Sequence, residues 1–316
     1  MNTTVNNNPL KSAMFVSCET RFWSARARDT DARTTVEEEY ETEGEVGEFL
    51  KKLLPSNSSY KDVRRIQKEA YDYFYENSLM ISRRGRRLLP AESFTEFDKG
   101  ALDILARFQK ALDTFIADYP KLVIAERDRL KGLYKERDYP SSEFMRSRFA
   151  IFFDYAPIPT GGAFEFLRGS SVDVDRILKQ QEEQLREQFD VAQKDLWTRA
   201  YSATKGLVEI LSDPKTKLKD KSLTNVEQLL GVLRAMNFSK DARFESLTTR
   251  LAETLKGVSG ETLRKDEAAA DTTRMEVQAV MNAMNAFMAG GLNRTGSKLV
   301  SAMTQVEPQA KEQKVA

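Results

Sequence analysis

The stretch from Ser93 to Pro120, SFTEFDKGALDILARFQKALDTFIADYP, sets the fold class. Ser93 and Glu96 stand at the spacing of a capping box, and Phe94, Phe97, Ala101, Ile104, Phe108, Ala111 and Phe115 follow at intervals of three and four. That period predicts an amphipathic helix running to Tyr119 and stopping at Pro120, because proline lacks the amide the next turn needs. Upstream, Val63, Ile66, Ala70 and Phe74 form one stripe and predict a helix from Tyr60 to Asn77. Downstream, a third helix is expected from Leu122 to Tyr134, ending before Asp138-Tyr139-Pro140.

Two segments break the helical rhythm. Met14, Val16, Cys18, Thr20 and Phe22 alternate with Phe15, Ser17, Glu19, Arg21 and Trp23, the period of a strand. Phe149, Ile151, Phe153 and Tyr155 alternate in the same way until Pro157-Ile158-Pro159-Thr160-Gly161-Gly162 turns the chain, and Phe164 and Phe166 are expected in a hairpin partner. A lone ribbon is marginal, so the first strand is expected to complete a small antiparallel sheet covered by helices.

The second half is helix after helix. Ser170 and Asp173 open one with Leu178, Leu185, Phe189, Ala192 and Leu196 on a stripe, while Gln181 and Gln188 interrupt a strict heptad and favour a bundle over an extended coiled coil. Thr224 and Glu227 cap a segment ending near Met236, Phe244, Leu247, Leu251 and Leu255 stripe the next as far as Gly257, and a last helix is expected from Glu261 to Ala289. The fold class expected is mainly α: a helical N-terminal domain with a small antiparallel β-sheet over residues 10–169, then a C-terminal helical bundle over 170–289. A boundary near Gly169 separates them, and residues 1–9 and 290–316 are expected to be flexible ends.

Histidine is absent and Cys18 is the only cysteine. Ser-His-Asp, Cys-His and His-ligated zinc sites are thereby excluded, and carboxylates, lysines, tyrosines and backbone dipoles are left for chemistry. No catalytic residue, cofactor or metal site emerges from their spacing, and the reading is of a protein that is not an enzyme. Catalysis by carboxylates alone stays open, since such a pair becomes a signal only through its separation in space. With 31% charged residues and no long apolar run, neither a membrane span nor a membrane partner is expected. The polar, Asn-rich start lacks the pattern of a secretion signal, so a cytoplasmic setting is expected. The 49 basic and 48 acidic residues balance overall, which argues against gripping long nucleic acid, whose affinity depends on a basic excess.

Four constellations stand out. Arg83, Arg84, Arg86 and Arg87 surround Gly85 shortly after Tyr71, Tyr73 and Tyr75, a combination suited to phosphate contact and base stacking, or else a surface loop paired with the chain's own carboxylates or an acidic protein. Seven glutamates between Glu37 and Glu48 lack calcium-loop spacing and read as a solvated acidic segment that could complement the arginines. Asp173 and Asp175 sit at a helix start, where capping explains them. Val277, Met281, Met284 and Met288 lie on a methionine-rich stripe that serves either as core or as an adaptable face for a protein partner. Gly161 and Gly162 lack the Lys-Ser/Thr of a phosphate loop, and no nucleotide fingerprint is found.

The series Phe22-Trp23-Ser24-Ala25-Arg26, Arg87-Leu88-Leu89-Pro90, Asp118-Tyr119-Pro120, Asp138-Tyr139-Pro140-Ser141 and Arg148-Phe149 through Pro157-Ile158-Pro159 resembles an uncharacterised family encoded by tailed bacteriophages and some bacteria. The resemblance covers about residues 10–170 and keeps the order of the elements; it departs where Ala163-Phe164-Glu165-Phe166 replaces an Asp-Phe-Arg-like strand. It implies a phage protein in the host-cell cytoplasm, alongside AAA+ ATPases and integrin-like metal-binding proteins of the chelatase-related type, and no catalytic residues. Trp23, Arg26, Tyr139 and Pro140 are expected to organise the first domain. The function expected is that of a non-enzymatic phage accessory protein, an adaptor or scaffold with a protein partner such as a AAA+ ATPase. The alternative is nucleic-acid binding through Arg83, Arg84, Arg86 and Arg87.

Overall fold

The computed structural model describes residues 13–43, 47–55, 58–82, 85–159, 174–212 and 220–290. In chain order it contains β1 (Ala13–Arg21), β2 (Arg26–Arg28), α1 (Thr30–Glu39), β3 (Leu50–Lys52), α2 (Tyr60–Glu76), β4 (Leu79–Met80), β5 (Arg87–Pro90) and α3 (Phe94–Leu130). There follow α4 (Ser142–Ser147), β6 (Ala150–Pro157), α5 (Val174–Ser212), α6 (Asp220–Ala235), α7 (Ala242–Leu255), α8 (Gly260–Lys265) and α9 (Glu267–Gly290). Helices dominate, with a small antiparallel sheet ordered β4-β5-β1-β6 and a separate ribbon of β2 and β3.

The chain divides into two compact units, one of residues 1–17, 75–97 and 155–316 (unit 1), the other of 18–74 and 98–154 (unit 2). Each holds its own apolar core. The boundary expected near Gly169, the hairpin partner with Phe164 and Phe166, and the helix start at Ser170 and Asp173 lie outside the described residues.

In unit 1 the start of β1 pairs with β5 from Ala13↔Pro90 to Val16↔Arg87, and β4 adds Leu79↔Leu88. The apolar positions of α5, α6, α7 and α9 then close around Trp197, which has no exposed surface and meets Phe244 edge-on at 5.2 Å and Phe287 at 4.5 Å. In unit 2, Val63, Ile66 and Ala70 of α2 face Ile104, Phe108, Leu112, Phe115 and Tyr119 of α3, with Met145, Phe149 and Ile151 completing the cluster. A Cβ on Gly100 would fall 2.2 Å from the Tyr73 hydroxyl, so glycine at that turn of α3 makes room for the α2 tyrosine.

Several local expectations are corrected. α3 does not stop at Tyr119; it continues through Pro120 to Leu130 and absorbs most of the separate helix expected from Leu122. Pro120 is exposed, while the apolar stripe carries on past it through Leu122 and Val123, so packing holds the helix across one missing amide. The last helix is broken at Asp266, whose extended backbone and carboxylate, accepting from the Ala269 amide at 3.0 Å, cap α9 and leave α8 as a short piece. α6 begins at Asp220 rather than at Thr224, whose hydroxyl donates back to the Asp220 carbonyl at 3.1 Å. The Ser93 hydroxyl donates to the Ala235 carbonyl at 3.0 Å, behind a short 3-10 turn, Ala91–Ser93, that precedes α3.

The packing around Trp197 predicts the effect of truncating its fully buried neighbour Phe244. Phe244→Ala is expected to destabilise unit 1 by about 3–5 kcal/mol. Urea denaturation followed by Trp197 fluorescence in a Trp23→Phe background reads this directly, and a loss below about 1 kcal/mol contradicts the packing described.

Candidate functional site

The ribbon of β2 and β3 pairs Arg26 with Lys52, Ala27 with Lys51 and Arg28 with Leu50. Because side chains alternate along a strand, Arg26 and Lys52 share one face and Lys51 turns to the other. That inner face is fixed by charge. The Lys51 ammonium, 2% exposed, lies 2.6 Å from Asp29 Oδ2 and 2.8 Å from Asp138 Oδ2, and donates to the Leu133 carbonyl at 2.6 Å. Lys135 adds contacts of 3.1 Å to Asp29 and 2.9 Å to Asp31. Asp29 also caps α1 by accepting from the Ala32 amide at 3.2 Å. The hydrogen bond from Lys51 holds the Asp29 carboxyl far below the usual carboxylate range, although burial opposes the shift.

Other side chains clamp the backbone on either side of the ribbon. The Arg129 guanidinium, itself paired with buried Glu126, donates to the Lys52 carbonyl at 2.9 Å, and the Tyr139 hydroxyl donates to the Leu53 carbonyl at 3.0 Å. The Tyr60 hydroxyl donates to the Trp23 carbonyl at 2.6 Å, and the Leu53 amide donates to the Ala25 carbonyl at 2.9 Å. Between them Ala25 is held at φ +53°, the left-handed region that residues with a Cβ avoid. A cluster of edge-on and tilted aromatic rings backs this arrangement: Tyr60 meets Trp23, Phe115 and Phe149 with ring centres 5.6–6.3 Å apart. Burial raises the Tyr60 phenol above its ordinary value, opposed by Arg64 and Arg26 nearby.

These anchors leave a cleft of about 510 Å³ on the outer side of unit 2. Arg26 and Lys52 come from the ribbon, Lys61 and Arg64 from the start of α2, and the remaining lining includes Phe22, Ser24, Leu54 and Pro55 but, among the described residues, no carboxylate. Arg26, Lys52 and Lys61 are exposed and make no ion pair among the described residues. Arg64 is positioned through a relay: its guanidinium lies 3.7 Å over the Phe22 ring and donates to Gln67 Oε1 at 3.0 Å. Buried Gln67 donates in turn to the Thr20 hydroxyl at 2.7 Å, which donates to Tyr71 at 3.0 Å.

The residues singled out from sequence fall elsewhere. Arg83 and Arg84 lie outside the described residues, and Arg86 is exposed. Arg87 is buried in β5, donating to the Ser78 hydroxyl at 2.8 Å and the Ser78 carbonyl at 2.7 Å, with Asp195 at 3.4 Å. Burial first, and Arg199 second, lower its pKa to about 10. It is a structural group of unit 1 rather than a phosphate ligand at the surface. Val277 and Met284 have no exposed surface and Met281 and Met288 pack on the same cluster, so this stripe is core. Among the described residues no group of three acidic or sulfur ligands gathers as a metal site, and no helix is long and apolar enough to cross a membrane. Trp23 and Tyr139 organise unit 2, whereas Arg26, expected to do the same, lines the cleft. A groove of about 820 Å³ in unit 1, with Tyr75, Asn225 and Leu229 in its lining, offers no comparable charge, since its Arg199 is already paired with Asp195 at 2.9 Å. No protein-family model, curated protein or solved structure matches the chain.

Replacing Lys51 with Met leaves Asp138 without its cation and Asp29 with Lys135 alone. The expected loss is about 3–5 kcal/mol of unit 2 stability, read by urea denaturation through Trp23 fluorescence in a Trp197→Phe background. Because the Asp29 pKa is lowered on folding, its contribution is complete above about pH 4 and is lost as the pH falls through the folded value. Asp29→Asn, which keeps a capping side chain, is expected to be less stable at neutral pH and to show a shallower loss on acidification. An unchanged acid profile contradicts the assignment.

Proposed function

We propose that this protein is a binding protein whose ligand carries phosphate and sits in the cleft of unit 2. The observation that supports it is the convergence of Arg26, Lys52, Lys61 and Arg64 on one hollow with no carboxylate in its lining among the described residues. In the empty cleft this arrangement opposes stability. Like charges directly across a ribbon repel, as Arg26 and Lys52 do, and a cation in the first turn of a helix, as Lys61 is, faces the positive end of the helix dipole. A bound phosphate reverses the sign of both, because each cation then meets negative charge. Of the arginines that form the alternative nucleic-acid contact, Arg86 and Arg87, the two among the described residues, are not in the lining of this cleft.

Isothermal titration with inorganic pyrophosphate at low salt tests the reading. Saturable binding that weakens as salt is added is expected, together with a loss of roughly tenfold or more in Arg26→Glu/Lys61→Glu. Both residues are exposed, so the fold is expected to survive the exchange. Wild-type protein that binds no pyrophosphate at low salt, or a double variant that binds it equally well, removes the proposal.

A further inference from the structure

Resting on the phosphate reading, we infer that the ligand is a nucleotide, a di- or triphosphate whose base stacks against Phe22. A site for a bare anion needs only donors, yet the lining here also includes the apolar side chains of Phe22, Leu54 and Pro55. Phe22 is 43% exposed, so ring surface is open to a ligand in the cleft it lines. The Arg64 guanidinium lies 3.7 Å over one face of the ring, so the surface offered to a base is the rest of the exposed ring together with the outer plane of the guanidinium, which also brings positive charge. That pairing of a flat apolar surface with adjacent cations matches a molecule that is aromatic at one end and polyanionic at the other. A volume of about 510 Å³ is several times that of one phosphate and falls in the range of small-molecule sites.

Two further features narrow the class. Among the described residues no carboxylate lines the cleft to clasp a ribose hydroxyl or seat a divalent cation, so affinity comes from stacking and phosphate contacts and is tolerant of the base. The chain's basic and acidic residues also balance, so the long-range attraction on which polymer binding depends is missing, and a single nucleotide is favoured over a strand.

The test compares inorganic pyrophosphate, ADP, CDP and a ten-residue oligothymidylate by titration into the full chain at one salt concentration. ADP is expected to bind roughly tenfold tighter than pyrophosphate, with CDP within a few-fold of ADP. Phe22→Ala and Phe22→Leu are expected to abolish the preference for ADP, bringing its affinity to that of pyrophosphate in the same variant, while pyrophosphate binding falls by a smaller factor because Arg64 loses the ring it rests on; the second variant keeps apolar bulk and removes only the π face. Pyrophosphate binding with no gain for ADP, or with ADP unaffected by either Phe22 variant, overturns the nucleotide inference and leaves the phosphate reading standing. Absence of binding by any probe overturns both. An oligothymidylate that binds more tightly than ADP, with steep salt dependence, overturns the single-nucleotide assignment in favour of a single strand.

Discussion

Unit 2 depends on one buried ammonium. The strands Arg26–Arg28 and Leu50–Lys52 have three residues each, too few to form a ribbon on their own. Lys51 ties them to the rest of the unit by drawing in Asp29, Asp138 and the Leu133 carbonyl at 2.6–2.8 Å. An ammonium removed from water costs several kcal/mol unless its partners are in place, so this geometry is all or nothing. Once Lys51 is committed inward, alternation along β3 sends Lys52 outward to face Arg26. The positive cleft is therefore a consequence of the buried charge behind it.

Elsewhere the protein follows the local rules of charge placement. Arg107 is matched by Glu69 and Asp103, Arg146 by Asp113, and exposed helix pairs such as Lys68 with Asp72 sit four residues apart. Left-handed residues occur also at Glu41, Lys131 and Lys240, but three departures border the cleft. Ala25 in a left-handed conformation, Arg26 across from Lys52, and Lys61 in the first turn of α2 all border the same hollow. Natural sequences tend to break such rules where function requires it. That concentration distinguishes the cleft from the groove of unit 1, where Arg199 is paired and Trp197 and its neighbours fill the interior.

The helices were legible because apolar side chains recur with the helical period, and the stripes of α2, α3, α5 and α7 are the ones that become buried. β1 and β6 were legible through alternation. Pro120 misled because a solvent-facing proline inside a well-packed helix looks, in sequence, like a stop. Strands of two to four residues leave no period to read, which hid the ribbon, β4 and β5. Lys51 and Arg87 were opaque for another reason: a buried cation is spelled like a surface one, and the carboxylates that admit them, Asp29 and Asp195, stand 22 and 108 residues away. The cleft draws on three separated segments, so its cations read singly as surface. Its faint signal was a lysine opening a helix whose stripe was otherwise clear, together with an arginine three residues after Trp23.

The central claim is that anions are bound where these three segments meet. Titrating pyrophosphate into the deuterated, nitrogen-15-labelled chain and following backbone amide resonances tests it most directly. Saturating shifts confined to residues 22–26, 52–55 and 60–64 are the predicted result. Shifts centred on the arginines at 83–86, or scattered without saturation over the surface, would contradict it.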